Sequence, residues 1–486
     1  MERVTVRKVD DVFMQVNCDD SLARDLYDFF SFTVPGAKFM PSYKNKFWDG
    51  KVRLFSLKTK KIYIGLLPYV DEFCRERGFE FGGIEDVIGE KTLLTDEDVD
   101  FFINGDDLIP GLGLPFEPRD YQIDAFKTAV QYGRQLLLSP TASGKSLIIY
   151  MLCRWFEGEM SLPNCKTVII VPTTSLVEQM SKDFEEYGYK EKICKIYHGQ
   201  EVFDAPITIT TWQSFAKAPK ETLQSFDVVI GDEAHLFKAQ TLKSILEKMS
   251  STGFRIGTTG TLDGTEVHRL QLEGLFGPVK KVISTAKLIE DGTIANLSID
   301  CVILRHTKQK KMSYQDEMDY LVSHEKRNEF ICNLVYSLKG NTLVLFQYVE
   351  KHGVLLHDKM SCRLGEQLHY VYGGTDTKDR ENVREIVEKA NDNVILASYG
   401  TFSTGVNIKK IDNVVFASPS KSRIRNLQSI GRGLRKTEGK DKMRLFDIAD
   451  DLQCENFTLS HLKERINIYN EEQFPYEIQQ FELKDD

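Results

Sequence analysis

An α/β fold, with two doubly wound parallel-sheet lobes in tandem behind a small α+β unit, is what three features of this 486-residue sequence predict. Short β-branched runs alternate with helix-like stretches twice over, once from residue 116 and again from about 286. The apolar run Leu136–Leu138 gives way to Ser139-Pro140-Thr141-Ala142-Ser143-Gly144-Lys145-Ser146 and then to Leu147–Leu152, the strand, tight loop and helix of a phosphate-binding site. A chain of this length also exceeds what one hydrophobic core supports. The expected organisation is a small α+β unit at 1–84, a linker at 85–115, one lobe at 116–285, a second at 286–454 and a helical tail at 455–486.

In the first unit Val4–Val9 and Val12–Val16 read as strands, Leu22–Phe30 as a helix, and Lys51–Leu57 and Lys61–Leu66 again as extended chain. Between Lys38 and Lys61 eight basic residues face the single acid Asp49, with Phe39, Tyr43, Phe47, Trp48 and Phe55 interleaved. Lysines such as Lys44 and Lys46 suit phosphates, and the rings of Phe47 and Trp48 suit bases or a junction, so this is the best nucleic-acid patch outside the lobes. The alternative, in which the aromatics form the core of a small β-unit and the lysines its solvated face, stays open. Residues 85–107 then turn acidic and run into Pro110-Gly111-Leu112-Gly113, a composition that reads as a linker.

The first lobe opens with Arg119-Asp120-Tyr121-Gln122, where Gln122 suits the edge of adenine and Tyr121 its face, with Arg119 beside them. In the loop that follows, backbone N–H groups of Ala142 to Lys145 are expected to ring a β-phosphate, Lys145 to reach the β/γ oxygens, and Ser146 to hold Mg²⁺. Two positions depart from the usual pattern: Ser139 stands in place of the first Gly, and Ala142 in place of a commoner Gly. Val168–Val171, Ile193–Ile196, Ile207–Thr210, Val228–Ile230 and Arg255–Gly257 are the expected strands. The fourth ends in Gly231-Asp232-Glu233-Ala234-His235, two carboxylates at the edge where ligands of open α/β sheets sit. Asp232 is expected to hold Mg²⁺ through water, and Glu233 to orient the water that attacks the γ-phosphate.

In the second lobe Cys301–Leu304, Thr342–Phe346, His369–Tyr372, Val394–Ala397, Val414–Ala417 and Arg444–Phe446 read as strands. Gln428-Ser429-Ile430-Gly431-Arg432-Gly433-Leu434-Arg435 places two arginines at i, i+3, one helical turn apart. Arginine suits bidentate contact with phosphate oxygens, so Arg432 and Arg435 are expected to complete an ATP site in a cleft between the lobes. The expected catalytic set is thus Lys145, Asp232, Glu233, Arg432 and Arg435, with ATP and Mg²⁺ as nucleotide and metal.

The balance of −9 argues against a surface coated with nucleic acid and for local patches. Nine scattered cysteines without a C-x-x-C pair give no zinc, iron–sulfur or disulfide pattern, and neither a signal peptide nor a membrane-length apolar run is legible, so a cytoplasmic protein is expected, in the host cell if phage-encoded.

Taken in order, R-D-Y-Q, P-T-A-S-G-K-S, V-P-T-T-S-L-V-E-Q (171–179), T-I-T-T-W-Q-S (208–214), D-E-A-H, T-T-G-T-L (258–262), S-Y-G-T-F-S-T-G-V-N (398–407) and Q-S-I-G-R-G-L-R resemble the motifs of superfamily 2 helicases. The likeness covers about 116–450 and is strongest to the phage helicases of branched DNA, which share D-F-F-S-F (28–32), W-D-G (48–50), L-I-E-D-G near 288 and the S-K-S-R-I-R-N-L-Q approach to the arginines. It implies RecA-like lobes, a DEAH-type ATPase, and contacts of Pro172, Thr173, Thr174, Thr210, Thr211 and Thr404 with the backbone of one tracked strand. It further implies that Gly405 and Asn407 lie near the nucleotide and that His235, Thr259, Thr261 and Gln428 couple ATP state to strand grip, although T-G-T in place of S-A-T leaves that coupling open. Branched and single-stranded DNA are the implied partners of a protein working as a monomer, with 3′ to 5′ polarity. An RNA helicase or RNA–DNA hybrid unwinder, a duplex translocase subunit of a restriction system and a binding protein with a dead ATPase are the rivals; intact Lys145, Glu233, Arg432 and Arg435 count against the last.

Overall fold

The computed structural model describes residues 3–483 apart from 89–92, 107, 159–163, 198–204, 405–407, 419–421 and 438. Gly405 and Asn407 therefore lie outside the described residues. The chain divides into two compact units, one of residues 1–139 and 144–282, the other of 283–486 with residues 140–143.

In the first unit, β1 (Arg3–Lys8) and β2 (Phe13–Asn17) alternate buried and open positions, so Val4, Val6, Met14 and Val16 share one inner face. A two-stranded ribbon of β3 (Ser31–Thr33) and β4 (Lys51–Arg53) precedes β5 (Lys61–Tyr63) and β6 (Glu80–Gly82), and the main sheet runs β5-β2-β1-β6. The helix Asp20–Phe29 starts at Asp19, whose carboxylate accepts the Leu22 N–H at 2.8 Å. Four short strands cannot enclose their own apolar face, and here they do not: Val4, Phe30 and Phe73 belong to one core with Val229, Leu270 and Phe276. The Tyr63 hydroxyl donates to Glu247 Oε1 at 2.5 Å, and that of Tyr69 donates to Glu273. Gly65 lies so close to the helix Glu266–Phe276 that a Cβ there would stand 1.9 Å from the Glu273 carbonyl oxygen. The N-terminal elements are thus bonded to the helix that follows the T-T-G-T-L motif.

Residues read as a linker are in good part helical. Ile84–Ile88 and Asp96–Asn104 are helices, the second opened by a reciprocal cap between Thr95 and Asp98. Phe102 stacks on Phe126 at 5.3 Å and meets Trp155 edge-on at 5.2 Å. Asp96, Glu97 and Asp98 form a first helical turn, where the dipole favours acids, and this is why composition alone resembled a spacer.

The first lobe is a seven-stranded parallel sheet of β7 (Arg134–Leu138), β8 (Thr167–Val171), β9 (Ile193–Ile196), β10 (Ile207–Thr211), β11 (Val228–Asp232), β12 (Phe254–Thr259) and β13 (Val279–Lys281), in the order β13-β7-β12-β11-β8-β10-β9. All five residues of β8, β10 and β11 are buried, as a sheet covered on both faces requires.

The second unit repeats the design with β14 (Asn296–Arg305), β15 (Thr342–Phe346), β16 (Leu368–Val371), β17 (Val394–Ser398), β18 (Asn413–Phe416), β19 (Lys442–Asp451) and β20 (Tyr476–Glu482), all parallel, in the order β16-β17-β15-β18-β19-β14-β20. The tail is therefore not only helical. Its helix Phe457–Glu471 is held to β19 by Arg465 and Tyr469, whose Nε and hydroxyl each donate to Asp447 Oδ2 at 2.8 Å, and the chain then adds β20 beside β14. That strand is mostly exposed on both faces, so it carries no apolar alternation to betray it.

A buried polar network ties the second sheet to its helices. Arg327 Nε donates to Asp450 Oδ1 at 2.8 Å, His306 Nε2 lies 2.9 Å from the same oxygen, and His352 spans Ser418 Oγ at 2.8 Å and Asn328 Oδ1 at 3.2 Å. Burial, and then the Arg327 charge, push His352 down from 6.5 to about 3, with Asp450 opposing. Below 6.5 the unfolded chain takes up a proton that folded His352 refuses, so stability falls with pH through that window. Asp450, held down to about 2, contributes only below 3.8. We expect the urea midpoint to drop by the equivalent of about 2 kcal/mol between roughly pH 7.5 and pH 5, and His352→Gln to flatten the drop; an unchanged slope in that variant would remove His352 as its cause.

Candidate functional site

The phosphate-loop candidate sits between β7 and the helix Lys145–Glu157. Ser139, fully buried, donates its N–H to the Thr259 carbonyl at 2.8 Å and is not among the residues with positive φ, so this position does not require glycine. Ala142 does occupy the left-handed region, at φ 67°, a conformation that costs an alanine about 1 kcal/mol. The Ser143 hydroxyl closes the loop on the Pro140 carbonyl at 2.6 Å, and Gly144 at φ 78° opens the helix. Thr141, Gly144, Lys145 and Ser146 are all partly open. Lys145 Nζ donates to the Ser139 carbonyl at 3.3 Å, and the Ser146 hydroxyl meets the hydroxyl of Tyr187 at 2.8 Å. Nothing in the sequence pointed to Tyr187, which lies 41 positions away from Ser146.

Gln122, expected at the edge of adenine, also serves the backbone of its own helix. Its Oε1 accepts the Arg119 N–H at 2.9 Å as part of a helix cap, and its Nε2 lies only 2.2 Å from where a Cβ on Gly144 would stand. The amide is thus buried against the phosphate loop, and a side chain at 144, already strained at φ 78°, would have to displace it. Arg119 reaches over to the Tyr121 hydroxyl at 2.9 Å.

The two carboxylates stand at the C-terminal end of β11. Asp232 is buried; burial, and then the Glu233 charge, raise its pKa, with Lys145 and a hydrogen bond from Thr258 opposing. The Thr258 hydroxyl donates to Asp232 Oδ1 at 2.8 Å, a supporting role that sequence reading missed although it had marked the T-T-G-T-L motif. Glu233 adopts φ 51°, ψ 49°, which turns the chain sharply after the strand. His235 Nδ1 lies 3.3 Å from Glu233 Oε2 and 3.0 Å from the Thr259 hydroxyl, which donates to the Thr261 carbonyl at 3.1 Å. His268 Nε2 donates to the His235 carbonyl at 3.0 Å while its Nδ1 lies 2.8 Å from Asp263 Oδ1. Glu233, His235, Thr259 and Thr261 therefore form one connected chain, and His268 joins it to the helix that carries Glu273.

In the second unit Gln428 and Arg432 lie on the helix Arg423–Gly433, both half-buried. Arg435 does not share its face by helical spacing, because the helix ends at Gly433. Buried Lys440 donates Nζ to the Gly433 carbonyl, and Ala295 N–H caps Leu434 at 2.9 Å, so the last carbonyls are satisfied without another turn. Burial brings Lys440 down to about 8, with Asp412 opposing and Arg435 adding to the fall. At the C-terminal edge of the same sheet a cleft of about 570 Å³ is lined by Gln347, Arg380, Ser398, Thr401 and Arg425 among others. Arg380 is fixed there by its bond to the Gly373 carbonyl at 3.1 Å.

The residues expected to touch a nucleic-acid backbone divide. Pro172, Thr173 and Thr174 follow β8 and are partly open, though the Thr173 hydroxyl accepts the Leu176 N–H at 3.4 Å as a helix cap. Thr210 is corrected: it is fully buried, with its hydroxyl donating to the Ile196 and Thr211 carbonyls at 3.2 Å, so its side chain serves the sheet. Thr211 is nearly buried and donates to Ser214 Oγ at 3.2 Å. Thr404 ends the helix Tyr399–Thr404. In the N-terminal loop Lys44, Lys46 and Phe47 are exposed, whereas Trp48 is half-buried and donates its indole N–H to the Lys51 carbonyl at 2.8 Å.

Among the described residues, no helix is long and apolar enough to cross a membrane. Family models match three stretches: the N-terminal domain of DNA helicase UvsW over 3–82, the res subunit of type III restriction enzymes over 115–264 and the helicase conserved C-terminal domain over 326–437. The chain is 33% identical to the ATP-dependent DNA helicase uvsW of Enterobacteria phage T4, over 95% of this chain and 96% of that protein. It is 24% identical to the DNA 3′-5′ translocase XPB2 of Sulfurisphaera tokodaii, over 68% of this chain and 80% of the relative. The crystal structure of T4 UvsW matches with a TM-score of 0.52 and 29% identity, over 99% of this chain and 100% of the other.

Proposed function

The chain belongs to the UvsW family of ATP-dependent DNA helicases, and from that membership we propose that it spends ATP to unwind or branch-migrate branched DNA: forks, D-loops, R-loops and four-way junctions. What supports the ATPase half is one observation: Lys145, close enough for its charge to act on Asp232, belongs to the same sheet edge as Ser146 and Glu233. Lys145 neutralises phosphate oxygens, the loop amides cradle them, and Glu233 holds the attacking water as a DEAH-type motif would. His235 lies beside the Glu233 carboxylate and is itself held by the Thr259 hydroxyl, which bonds the Thr261 carbonyl, so this chain of contacts is assigned to the coupling of nucleotide state to strand grip. Arg432 and Arg435 of the second unit are assigned to the charge that develops on the transferred phosphoryl group. Pro172, Thr173, Thr174 and the Gln347–Arg380–Arg425 cleft are assigned to one strand's backbone, being short, neutral or basic groups that read no base.

Mg²⁺ fits this donor set. Ser146 and Asp232 offer hard oxygens, and the burial that raises Asp232 beside Glu233 is the kind of site a cation relieves. When bound, Mg²⁺ would supply charge neutralisation at the phosphates.

The test is strand separation by the full chain on a synthetic replication fork and a four-way junction at fixed salt. We expect both to be resolved with ATP and neither without it. Separation of simple tailed duplexes alone would contradict the branched-DNA reading.

A further inference from the structure

We propose that Phe47 is the wedge that unstacks base pairs at the branch point, and that neighbouring Trp48 is the pin that shapes the loop carrying it; this rests on the branched-DNA reading above. Residues 34–50 form a closed excursion between β3 and β4. The Val34 N–H donates to the Gly50 carbonyl at 2.8 Å, and Gly50, at φ 80°, leaves a Cβ only 3.0 Å from both Ala37 and the Tyr43 ring. Within that excursion residues 38–47 are all exposed, among them Phe39 at 69% and Phe47 at 87%. The tip is a strained turn. Lys46 sits at φ 59°, and the N–H groups of Phe47 and Trp48 both donate to the Ser42 carbonyl, at 2.9 and 3.2 Å. This bends the chain back after Lys46 and leaves the Phe47 ring outside, while the Trp48 indole turns in to the Lys51 carbonyl.

The charges around the ring choose the partner. Arg53 is paired with Asp49 and Lys60 with Asp20, but among the described residues Lys38, Lys44, Lys46 and Lys51 take part in no salt bridge. Lys38 lies over the Phe39 ring at 5.2 Å, but the Phe47 ring stays open, and lysines without acidic partners around an open ring match a polyanion that also offers flat rings; lysine is depleted from protein–protein interfaces. A branch point is where a duplex exposes base faces at least cost, and an apolar ring inserted there kinks and opens the step. The lysines hold the arms by their phosphates while Phe47 meets the terminal pair.

The experiment uses the full chain with a fork carrying 2-aminopurine in the first pair of the branch. Binding by the wild type without ATP is expected to raise the fluorescence, because the base leaves its stack. Phe47→Ala is expected to remove that rise and to lower base pairs separated per ATP hydrolysed by about tenfold, one stacked base being worth that much. Phe47→Trp restores both readings, and since the ring touches no core, neither variant should disturb folding. Phe47→Ala with the rise and the yield intact would overturn the wedge alone and leave the loop to a protein partner. A wild type that separates no fork at all would instead overturn the branched-DNA reading on which the wedge rests.

Discussion

Lys145→Ala is expected to lower the kcat for ATP hydrolysis by about 10³-fold or more, as the loss of a charge held against transferring phosphate predicts. The side chain makes one long bond, to the Ser139 carbonyl at 3.3 Å, and is partly open, so the fold should survive its removal. Its charge also opposes the upward shift of Asp232. Without it that buried carboxylate is protonated more readily and becomes a poorer ligand for a cation. Steady-state ATPase at saturating single-stranded DNA is the measurement, and turnover within tenfold of wild type would sink the assignment of the phosphate loop.

Arg432→Ala should slow turnover by about 10³ to 10⁵ while moving the KM for ATP much less, the pattern of a group used in the transition state. Arg432 sits in the last turn of its helix, and Arg435 just beyond the end. The two arginines therefore need not respond alike, and Arg435→Ala is the informative companion. An effect of Arg432→Ala confined to KM would move this residue from catalysis to nucleotide binding.

Much of the fold was legible because parallel strands buried on both faces announce themselves as continuous β-branched runs. Thr342–Phe346 and Ile193–Ile196 keep their expected bounds and the other strands of the two lobes lie within about two residues of theirs, except β14 and β19, each of which runs five residues beyond the expected segment at one end. β13 and β20 were missed because a three-residue edge and an exposed one carry no such signal. The site was legible where motif order and spacing speak, at Lys145, Ser146, Asp232 and Glu233, and illegible where side-chain direction decides. Gln122 faces the phosphate loop because a helix cap takes its carbonyl oxygen, and Thr210 turns into the sheet because its hydroxyl has carbonyls there. Trp48 and Phe47 are adjacent aromatics in one basic stretch, and only the backbone turn at Lys46 separates a pin from an exposed ring.

A preference of the motor for branched DNA is read from the ATPase rate of the full chain without nucleic acid, then with single strand, blunt duplex, fork, four-way junction and RNA. Salt is held fixed, because phosphate contacts depend on it steeply, and Lys145→Ala serves as blank. The greatest stimulation is expected from the fork or the junction, as a branched-DNA helicase requires. Greatest stimulation by RNA would contradict that preference and turn the same motor into an RNA helicase.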